Sequence, residues 1–202
     1  MIVGRTVVVR MWTRKNALSG VKFKSEMDPR EVAVLRSLVE SVIGLLDRRG
    51  AEAPTDDLAE LTGMRSGNTR PPEDPTLARL LPDFHRPEGA DSAESDGLAE
   101  QADLNGALRG LYEPEIIDVK RAAGATILST LPEGGGKIAL TREQADSWLT
   151  GLNDVRLALG TTLGIDADTP DQLEEDDPRA PHLDVYHWLT WMQDSLVQVL
   201  MP

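Results

Sequence analysis

The sequence predicts a mainly α-helical protein: a compact helical bundle with a small β element, formed by N-terminal strands and a short strand near residues 137–140. Apolar side chains recur every three to four residues in several long segments, which is typical of helices with one buried face. Two short N-terminal segments have the residue pattern of strands. The 202 residues suit one domain, residues 1–202, and only 4% of them are aromatic. The core must therefore consist mainly of Leu, Val, Ile and Ala.

The N-terminal segment is basic, whereas the rest of the chain is acidic. The first 24 residues carry six of the 21 basic side chains and none of the 34 acidic ones, and the net charge of the chain is −13. Residues 1–26 therefore predict a basic strand or arm on an acidic body. Two interpretations stay open. The basic residues either protect an exposed edge strand from unwanted pairing, or they form a contact arm for nucleic acid or an acidic partner through Arg5, Arg10, Arg14 and Lys15.

The first elements follow from local patterns. Residues 6–12 are β-branched and residues 21–27 alternate between apolar and charged side chains, so both segments predict strands. The polar residues 13–20 between them predict a loop. Asp28 then predicts a helix over residues 29–49, because it is a preferred N-cap, a proline follows it, and an acid three residues later completes a capping box.

The middle of the chain predicts three helices. Asp74, followed by a proline, predicts a short helix through about residue 80. Residues 98–111 predict a weaker helix, and Pro114 predicts the start of a separate one. Residues 82–96 contain acids, Pro and Gly but few apolar side chains, so we expect an acidic loop there.

The C-terminal third carries the strongest helical patterns. Residues 137–140 predict a short strand that pairs with the second N-terminal strand, and Thr141 and Gln144 supply the capping box of the long helix that follows. Residues 166–180 are rich in acids and predict a second acidic loop. The last helix covers about residues 183–199.

This last helix has a wider apolar surface than one packing face requires. Trp188, Met192 and Leu196 lie on its main face, and Trp191 lies off it. Tryptophan and other large apolar side chains are common anchors of protein interfaces. We therefore predict an interface with a partner or with a second copy of the chain, formed by Trp188, Trp191, Met192 and Leu196.

Residues that could perform catalysis do not form a recognisable set. The chain contains no cysteine, which excludes disulfides, thiolate metal sites and thiol redox chemistry. Asp184 and His187 have helical spacing but no apparent third metal ligand. The glycines at 134–136 precede Lys137, but the Ser or Thr of a phosphate loop does not follow. We therefore predict no catalytic residue, no metal site and no cofactor.

Three polar residues interrupt the apolar pattern of the helix that follows Thr141: Asn153, Asp154 and Arg156. Asp154 and Arg156 are two positions apart and therefore face different ways. We predict a structural role, in which Arg156 reaches a carboxylate on another helix and Asn153 satisfies a loop carbonyl. Contact with a partner is the alternative.

Several motifs resemble those of one protein family: LNDVRLALGT at 152–161, LGI at 163–165, YHWLTWMQ at 186–193 and DPTLARLLPD at 74–83. The family is an actinobacterial domain of unknown function whose genes commonly lie near that of the adaptor ClpS. It includes an oxidative-stress transcriptional regulator of actinomycetes. The motifs cover much of the chain and are specific in combination.

The resemblance implies a single regulator-type domain that is not an enzyme and acts on transcription in the oxidative-stress response. It implies contact with a sigma factor or RNA polymerase, and contact with DNA through the basic arm. It further implies a cytoplasmic protein that does not associate with a membrane and that forms a homodimer. The alternative is a helical adaptor or scaffold in ClpS-linked proteolysis or in sulfur and cysteine metabolism. The chain departs from a thiol-based oxidant sensor because it has no cysteine.

Overall fold

The predicted fold class is confirmed: five helices accompany one three-stranded antiparallel sheet in the described ranges. The computed structural model describes residues 11–17, 20–54, 66–85, 95–174 and 176–201, with the backbone alone for residue 17 and residues 95–100. The elements are β1 (Thr13–Ala17), β2 (Gly20–Met27), α1 (Pro29–Ala51), α2 (Pro75–Leu80), α3 (Ser95–Thr130), β3 (Gly136–Leu140), α4 (Arg142–Leu163) and α5 (Ala180–Leu200).

The predicted pairing of the second N-terminal strand with residues 137–140 is confirmed. Strand β2 lies between β1 and β3, and β2 and β3 pair antiparallel with Phe23 opposite Leu140. Phe23, Met27, Ile138 and Leu140 are all buried, so this pair of strands presents one apolar face to the helices, as the alternation of its residues predicts.

The prediction of a loop over residues 13–20 is wrong for residues 13–17, which form β1. Among the strands that the structure describes, β1 is at the edge of the sheet and pairs antiparallel with β2. The side chains of residues 13–16 are all exposed, so the strand lacks the alternation by which a half-buried strand is recognised. Of the strand predicted at residues 6–12, only Met11 and Trp12 are described, and they precede β1.

The predicted capping boxes are confirmed at the starts of α1 and α4. Asp28 accepts a hydrogen bond from the backbone N–H of Glu31 at 2.8 Å, and its own N–H donates to the Glu31 carboxylate at 2.7 Å. Thr141 and Gln144 make the same pair of bonds at 3.2 and 2.9 Å. The short helix α2 is also confirmed, with Asp74 as its N-cap. Local side chains thus determine where these helices begin.

Helix α3 is one continuous element, so the prediction of two helices, over residues 98–111 and from Pro114 onward, is wrong. Pro114 has no N–H to donate to the carbonyl oxygen of Gly110, four residues earlier. The loop before α2 supplies the missing donor, because the N of Gly67 lies 2.7 Å from that oxygen. A Cβ on residue 67 would lie 2.7 Å from Cδ of Pro114, so this approach requires glycine.

In the described residues, α3 and α5 overlap the C-terminal ends of the two predicted acidic loops. Helix α3 already begins at Ser95, inside the loop predicted over residues 82–96, and residues 86–94 lie outside the described part of the chain. The second loop, predicted over residues 166–180, contains neither helix nor strand in its described residues before α5 begins at Ala180.

Helix α4 lies at the centre of the fold, where it packs against the sheet and the other helices. Its Trp148 is fully buried, and the ring of Trp12 meets it edge-on with the centroids 5.4 Å apart. The indole N–H of Trp148 donates to Oγ1 of Thr130 at 2.8 Å. These contacts join the residues before β1, the end of α3 and the central helix in one core.

Candidate functional site

The described residues do not gather a metal site. No group of three or more His, Asp or Glu side chains that could hold a metal ion occurs in the ranges that the structure covers. His187 forms an edge contact with the ring of Tyr186, and both Asp184 and His187 are exposed. No described helix is long and apolar enough to cross a membrane.

The basic arm is described only in part. Arg14 and Lys15 are exposed on β1, at the edge of the sheet, and Lys15 lies opposite Lys22 of β2. This position agrees with the protection of an edge strand by basic side chains. Arg5 and Arg10 lie outside the described residues. The role of these four residues in contact with DNA or a partner stays a prediction.

Half of the predicted interface on α5 lies inside the monomer. Met192 is 3% exposed and Leu196 is 0% exposed, so neither can contact a partner in this structure, and the prediction is wrong for these two residues. The physical reason is that α5 packs against α4 and also contacts β1, so the fold itself covers the wide apolar surface. Trp188 and Trp191 are half-buried against the core, and their part in an interface stays a prediction.

Asp154 is buried between α3 and α4. Its Oδ1 lies 2.6 Å from Nζ of Lys120, and its Oδ2 has no hydrogen-bond partner. Burial raises the pKa of the Asp154 carboxyl, and the bond and charge of Lys120 oppose this rise without cancelling it. The geometry supports the structural role predicted for Asp154.

Arg156 joins α4 to α5, but not through a carboxylate as expected. Its Nη1 lies 2.6 Å from the amide oxygen of Gln193, and its guanidinium carbon lies 5.8 Å from the centroid of the Tyr186 ring. The cation therefore has one hydrogen-bond acceptor and one aromatic neighbour on α5. Asn153 is half-buried on the same helix.

A buried ionic cluster surrounds Glu113, and it was not predicted from the sequence. Glu113 is 1% exposed; its Oε1 accepts from Nε of Arg49 at 2.8 Å and from Nδ2 of Asn68 at 3.3 Å. Its Oε2 accepts from Nη1 of Arg109 at 2.6 Å. The only signal in the sequence was the i, i+4 spacing of Arg109 and Glu113 on α3, because Arg49 comes from the end of α1.

The outer partners of this cluster bind it to the loops around α2. Arg109 donates to the carbonyl oxygen of Leu81 at 3.1 Å and to the carboxylate of Asp83 at 2.8 Å. Arg49 donates to the carbonyl oxygen of Arg70 at 2.5 Å and to Glu52 at 3.1 Å. Both guanidinium groups and the carboxylate are thus satisfied, which makes the cluster a clamp between α1, α3 and these loops.

Two cavities lie on either side of this clamp. The first, of about 260 Å³, lies between α1, α3 and the loop at residues 66–68, and Asp47 and Arg121 on its wall form an ion pair of 2.6 Å. The second, of about 210 Å³, lies between α3 and the residues that follow α2. Its lining is mostly apolar and includes Leu80, Phe84 and Ile116.

One face of α3 exposes large apolar side chains to solvent. Leu104 is 46% exposed, Leu111 69%, Tyr112 49% and Val119 57%. Leu104 and Leu111 are seven residues apart, as are Tyr112 and Val119, and Leu104 and Tyr112 are eight apart. All four side chains therefore lie on one side of the helix. The ring of Phe84, which is 38% exposed, lies 6.1 Å from that of Tyr112. We call these five residues the α3 stripe.

The α3 stripe was not predicted from the sequence, because a separate helix was predicted to start at Pro114. Its helical members Leu104, Leu111 and Tyr112 precede the proline, whereas Val119 follows it. The spacing of seven residues between Tyr112 and Val119 becomes visible only when α3 is read as one helix. Phe84 comes from outside the helix and carries no sequence signal that links it to Tyr112.

Comparison with known proteins identifies the family. The model of a family described as "Domain of unknown function (DUF2017)" matches residues 9–200. Proteins named "Oxidative stress regulator AosR" from Mycobacterium tuberculosis and Mycobacterium bovis are each 45% identical over 194 residues, which is 96% of this chain and 89% of theirs. No solved structure matches.

The resemblance noted from the motifs is therefore confirmed, while the proximity to a ClpS gene stays a prediction. The family model spans residues 9–200, a range that contains α3 and α5, and the relatives align over 96% of the chain. The chain belongs to the DUF2017 family.

Proposed function

We propose that this chain is a non-enzymatic transcriptional regulator of the oxidative-stress response that acts by contact with a transcription protein, a sigma factor or RNA polymerase. The observation that carries the proposal is the identity of 45% over 96% of the chain with relatives named as oxidative-stress regulators. A match of that extent leaves little of the chain for an unrelated activity.

The chemistry of the buried charges supports a role without catalysis. Each oxygen of Glu113 accepts a hydrogen bond from an arginine. A general acid or base must reach a substrate with an atom that is free to exchange a proton. The Glu113 carboxylate is instead committed to the guanidinium groups of Arg49 and Arg109.

The charge of the chain favours protein contact over extensive DNA contact. A net charge of −13 repels the phosphate backbone. Contact with DNA is therefore confined, in this proposal, to the basic arm, of which Arg14 and Lys15 are exposed on β1. The chain contains no cysteine and so has no thiol to oxidise; the proposal therefore assigns any thiol-based sensing of oxidants to the partner.

Light scattering on the purified chain, alone and mixed with each alternative sigma factor of its source organism, tests the proposal. We expect a stable complex with at least one sigma factor. The chain has a mass of 22.0 kDa. If light scattering detects no complex of this chain in any mixture, the proposal is contradicted. A pull-down that recovers protease components and no sigma factor would favour the adaptor hypothesis instead.

The DNA part of the proposal has its own test. Binding to a fragment of a target promoter is measured at several salt concentrations for the wild type and for a variant with Arg14→Ala and Lys15→Ala. Phosphate contacts make affinity fall with salt, so we expect a shallower dependence in the variant. Identical salt dependence in both proteins would exclude these two residues as a DNA contact.

A further inference from the structure

We propose that the α3 stripe is the docking surface for a basic amphipathic helix of a partner protein. This inference rests on the proposed function, because a regulator that acts by protein contact needs a surface for that contact. It differs from the sequence prediction, which placed the interface on α5. Three observations carry it: the exposure of the stripe, the cavity beside it and the charges around it.

The stripe has the dimensions of a helix-binding surface. Leu104 and Val119 are 15 positions apart, which is about 22 Å along α3 at 1.5 Å per residue. All four of its helical members are large, and each is at least 46% exposed. Contiguous exposed apolar surface is uncommon on monomeric proteins and marks interaction sites. A partner helix of about four turns would cover it.

The apolar cavity of about 210 Å³ is continuous with the stripe. Phe84 lines the cavity and also contacts Tyr112 of the stripe, and Ile116 lines the cavity one turn after Tyr112. A cavity of about 150 Å³ accommodates a benzene ring, so this one can take a leucine or aromatic side chain of the partner. Such an anchor, buried in a pocket next to a shallower surface, is the usual centre of a protein interface.

The cavity does not offer a free positive charge to the partner. Arg109 lines it, but Glu113 and Asp83 neutralise the guanidinium at 2.6 and 2.8 Å. An apolar anchor can therefore enter without stripping water from an unpaired cation.

The charges on and beside the stripe select a basic partner. Glu115 lies one turn from both Leu111 and Val119, is exposed, and forms no ion pair with any residue that the structure describes. Asp118, at the border of the stripe, has a side chain that is 42% exposed and that lies 3.6 Å from Arg121. A helix with Lys or Arg beside its apolar residues complements this arrangement, whereas a second acidic copy or a nucleic acid would be repelled.

The test uses a fluorescently labelled helical peptide built from Leu and Lys, with all leucines on one face, and an isomer of the same composition with the leucines scattered. Fluorescence anisotropy with the full chain measures both affinities. We expect the amphipathic peptide to bind at least tenfold more tightly than its isomer. Equal affinity of the two peptides, or no binding of the amphipathic one, would overturn the proposal.

Matched variants locate the binding site of the peptide. Leu111→Asp and Val119→Asp should each weaken binding at least tenfold, whereas Met201→Asp, at a residue that is 59% exposed after α5, should change it less than twofold. Glu115→Lys should weaken binding more than Glu133→Lys, which makes the same charge change beyond the end of α3. Thermal melts confirm that each variant is folded, and wild-type affinity in the folded stripe variants would exclude the stripe.

A sigma-factor complex separates this inference from the function on which it rests. If the complex forms with wild type and persists in Leu111→Asp and Val119→Asp, the stripe is not the docking surface, although the proposed function stands. If no sigma factor binds, the proposed function fails, and the peptide assay still decides on the stripe. A dimer of the chain that Leu111→Asp dissociates would make a second copy the occupant and overturn the inference.

Discussion

Helices α5 and α3 show opposite relations between apolar sequence and exposed surface. Helix α5 has the more apolar sequence, yet Leu196 and Met192 are buried by α4 and by the neighbouring sheet. Helix α3 has less apolar sequence around Pro114, yet it exposes Leu111 and Val119 by more than half. The number of apolar residues in a helix therefore indicates how much apolar surface must be buried. Whether that surface is buried within the monomer or exposed to a partner depends on the elements that pack against the helix.

The same contrast exists within α3 alone. Its inner face carries Arg109, Glu113 and Lys120, which join α3 to α1, to the loops around α2 and to α4 through ion pairs. Its outer face carries the stripe. We therefore expect substitutions on the inner face to change stability, and substitutions on the outer face to change binding.

The largest effect is expected from Glu113→Ala. The substitution leaves Arg49 and Arg109 buried without their shared carboxylate, and breaking a buried ion pair costs about 3–5 kcal/mol. The free energy of unfolding, from urea denaturation, measures it. Glu115→Ala, two residues away on the outer face, should stay within about 0.5 kcal/mol. Equal effects of the two substitutions would contradict the assignment of the two faces.

Leu196→Ala and Leu111→Ala compare α5 with α3 directly. Leu196 is fully buried, so its truncation leaves a cavity and should cost about 2–5 kcal/mol. Leu111 is 69% exposed, so its truncation should change the free energy of unfolding by no more than about 0.5 kcal/mol. Denaturation of the two variants under the same conditions tests this order, and the reverse order would place the interface back on α5.

Gly67→Ala should destabilise the protein by about 1–3 kcal/mol, because the added Cβ overlaps with Pro114 and the loop must move away from Gly110. Gly134→Ala is the control, since a Cβ there meets nothing within 4 Å. The difference in midpoint of denaturation between the two variants measures the effect. If Gly67→Ala is as stable as the control, the loop does not provide the donor that keeps α3 continuous.

A smaller, pH-dependent difference is expected from Asp154→Asn. Burial raises the pKa of Asp154 in the folded protein above its ordinary value of 3.8. The folded state therefore binds the proton more tightly than the unfolded chain, and the stability from this proton is lost as the pH rises through the folded pKa. Wild type should lose stability relative to Asp154→Asn as the pH rises from about 4. A relative gain would mean that Lys120 outweighs burial.

The smallest effect is expected from thiol reductants. Peroxide treatment should form methionine sulfoxide at the exposed Met11 and Met201. Dithiothreitol should neither reverse this modification nor change partner binding, because the chain has no cysteine. Mass spectrometry and the light-scattering assay measure the two outcomes. The isolated chain is treated first with peroxide and then with dithiothreitol, before the partner is added. If dithiothreitol restores partner binding that peroxide had abolished, the response to oxidants is not indirect.

Those parts of the fold that depend on neighbouring residues in the sequence could be predicted. Asp28, Asp74 and Thr141 cap helices by bonds to residues two or three positions away, so the starts of α1, α2 and α4 follow from sequence alone. The same holds for the apolar face of β2, which the alternation of its residues predicts.

The missed parts depend on residues that are distant in sequence. Strand β1 exists because it pairs with β2, and α3 continues through Pro114 because Gly67 supplies a donor from another segment. The clamp around Glu113 includes Arg49, which is 64 positions away from Glu113 in the sequence. The continuation of the α3 stripe from Tyr112 to Val119 depends on the continuity of the helix through Pro114, and so the candidate site lay outside the predicted set.

Hydrogen exchange measured by mass spectrometry tests the central claim most directly. The chain is compared alone and in complex with the sigma factor that light scattering identifies. We predict that exchange slows in the peptides that cover residues 81–84 and 104–119, and stays unchanged in the peptides of α5. Slower exchange confined to residues 183–199, with none in α3, would contradict the claim that the α3 stripe receives the partner.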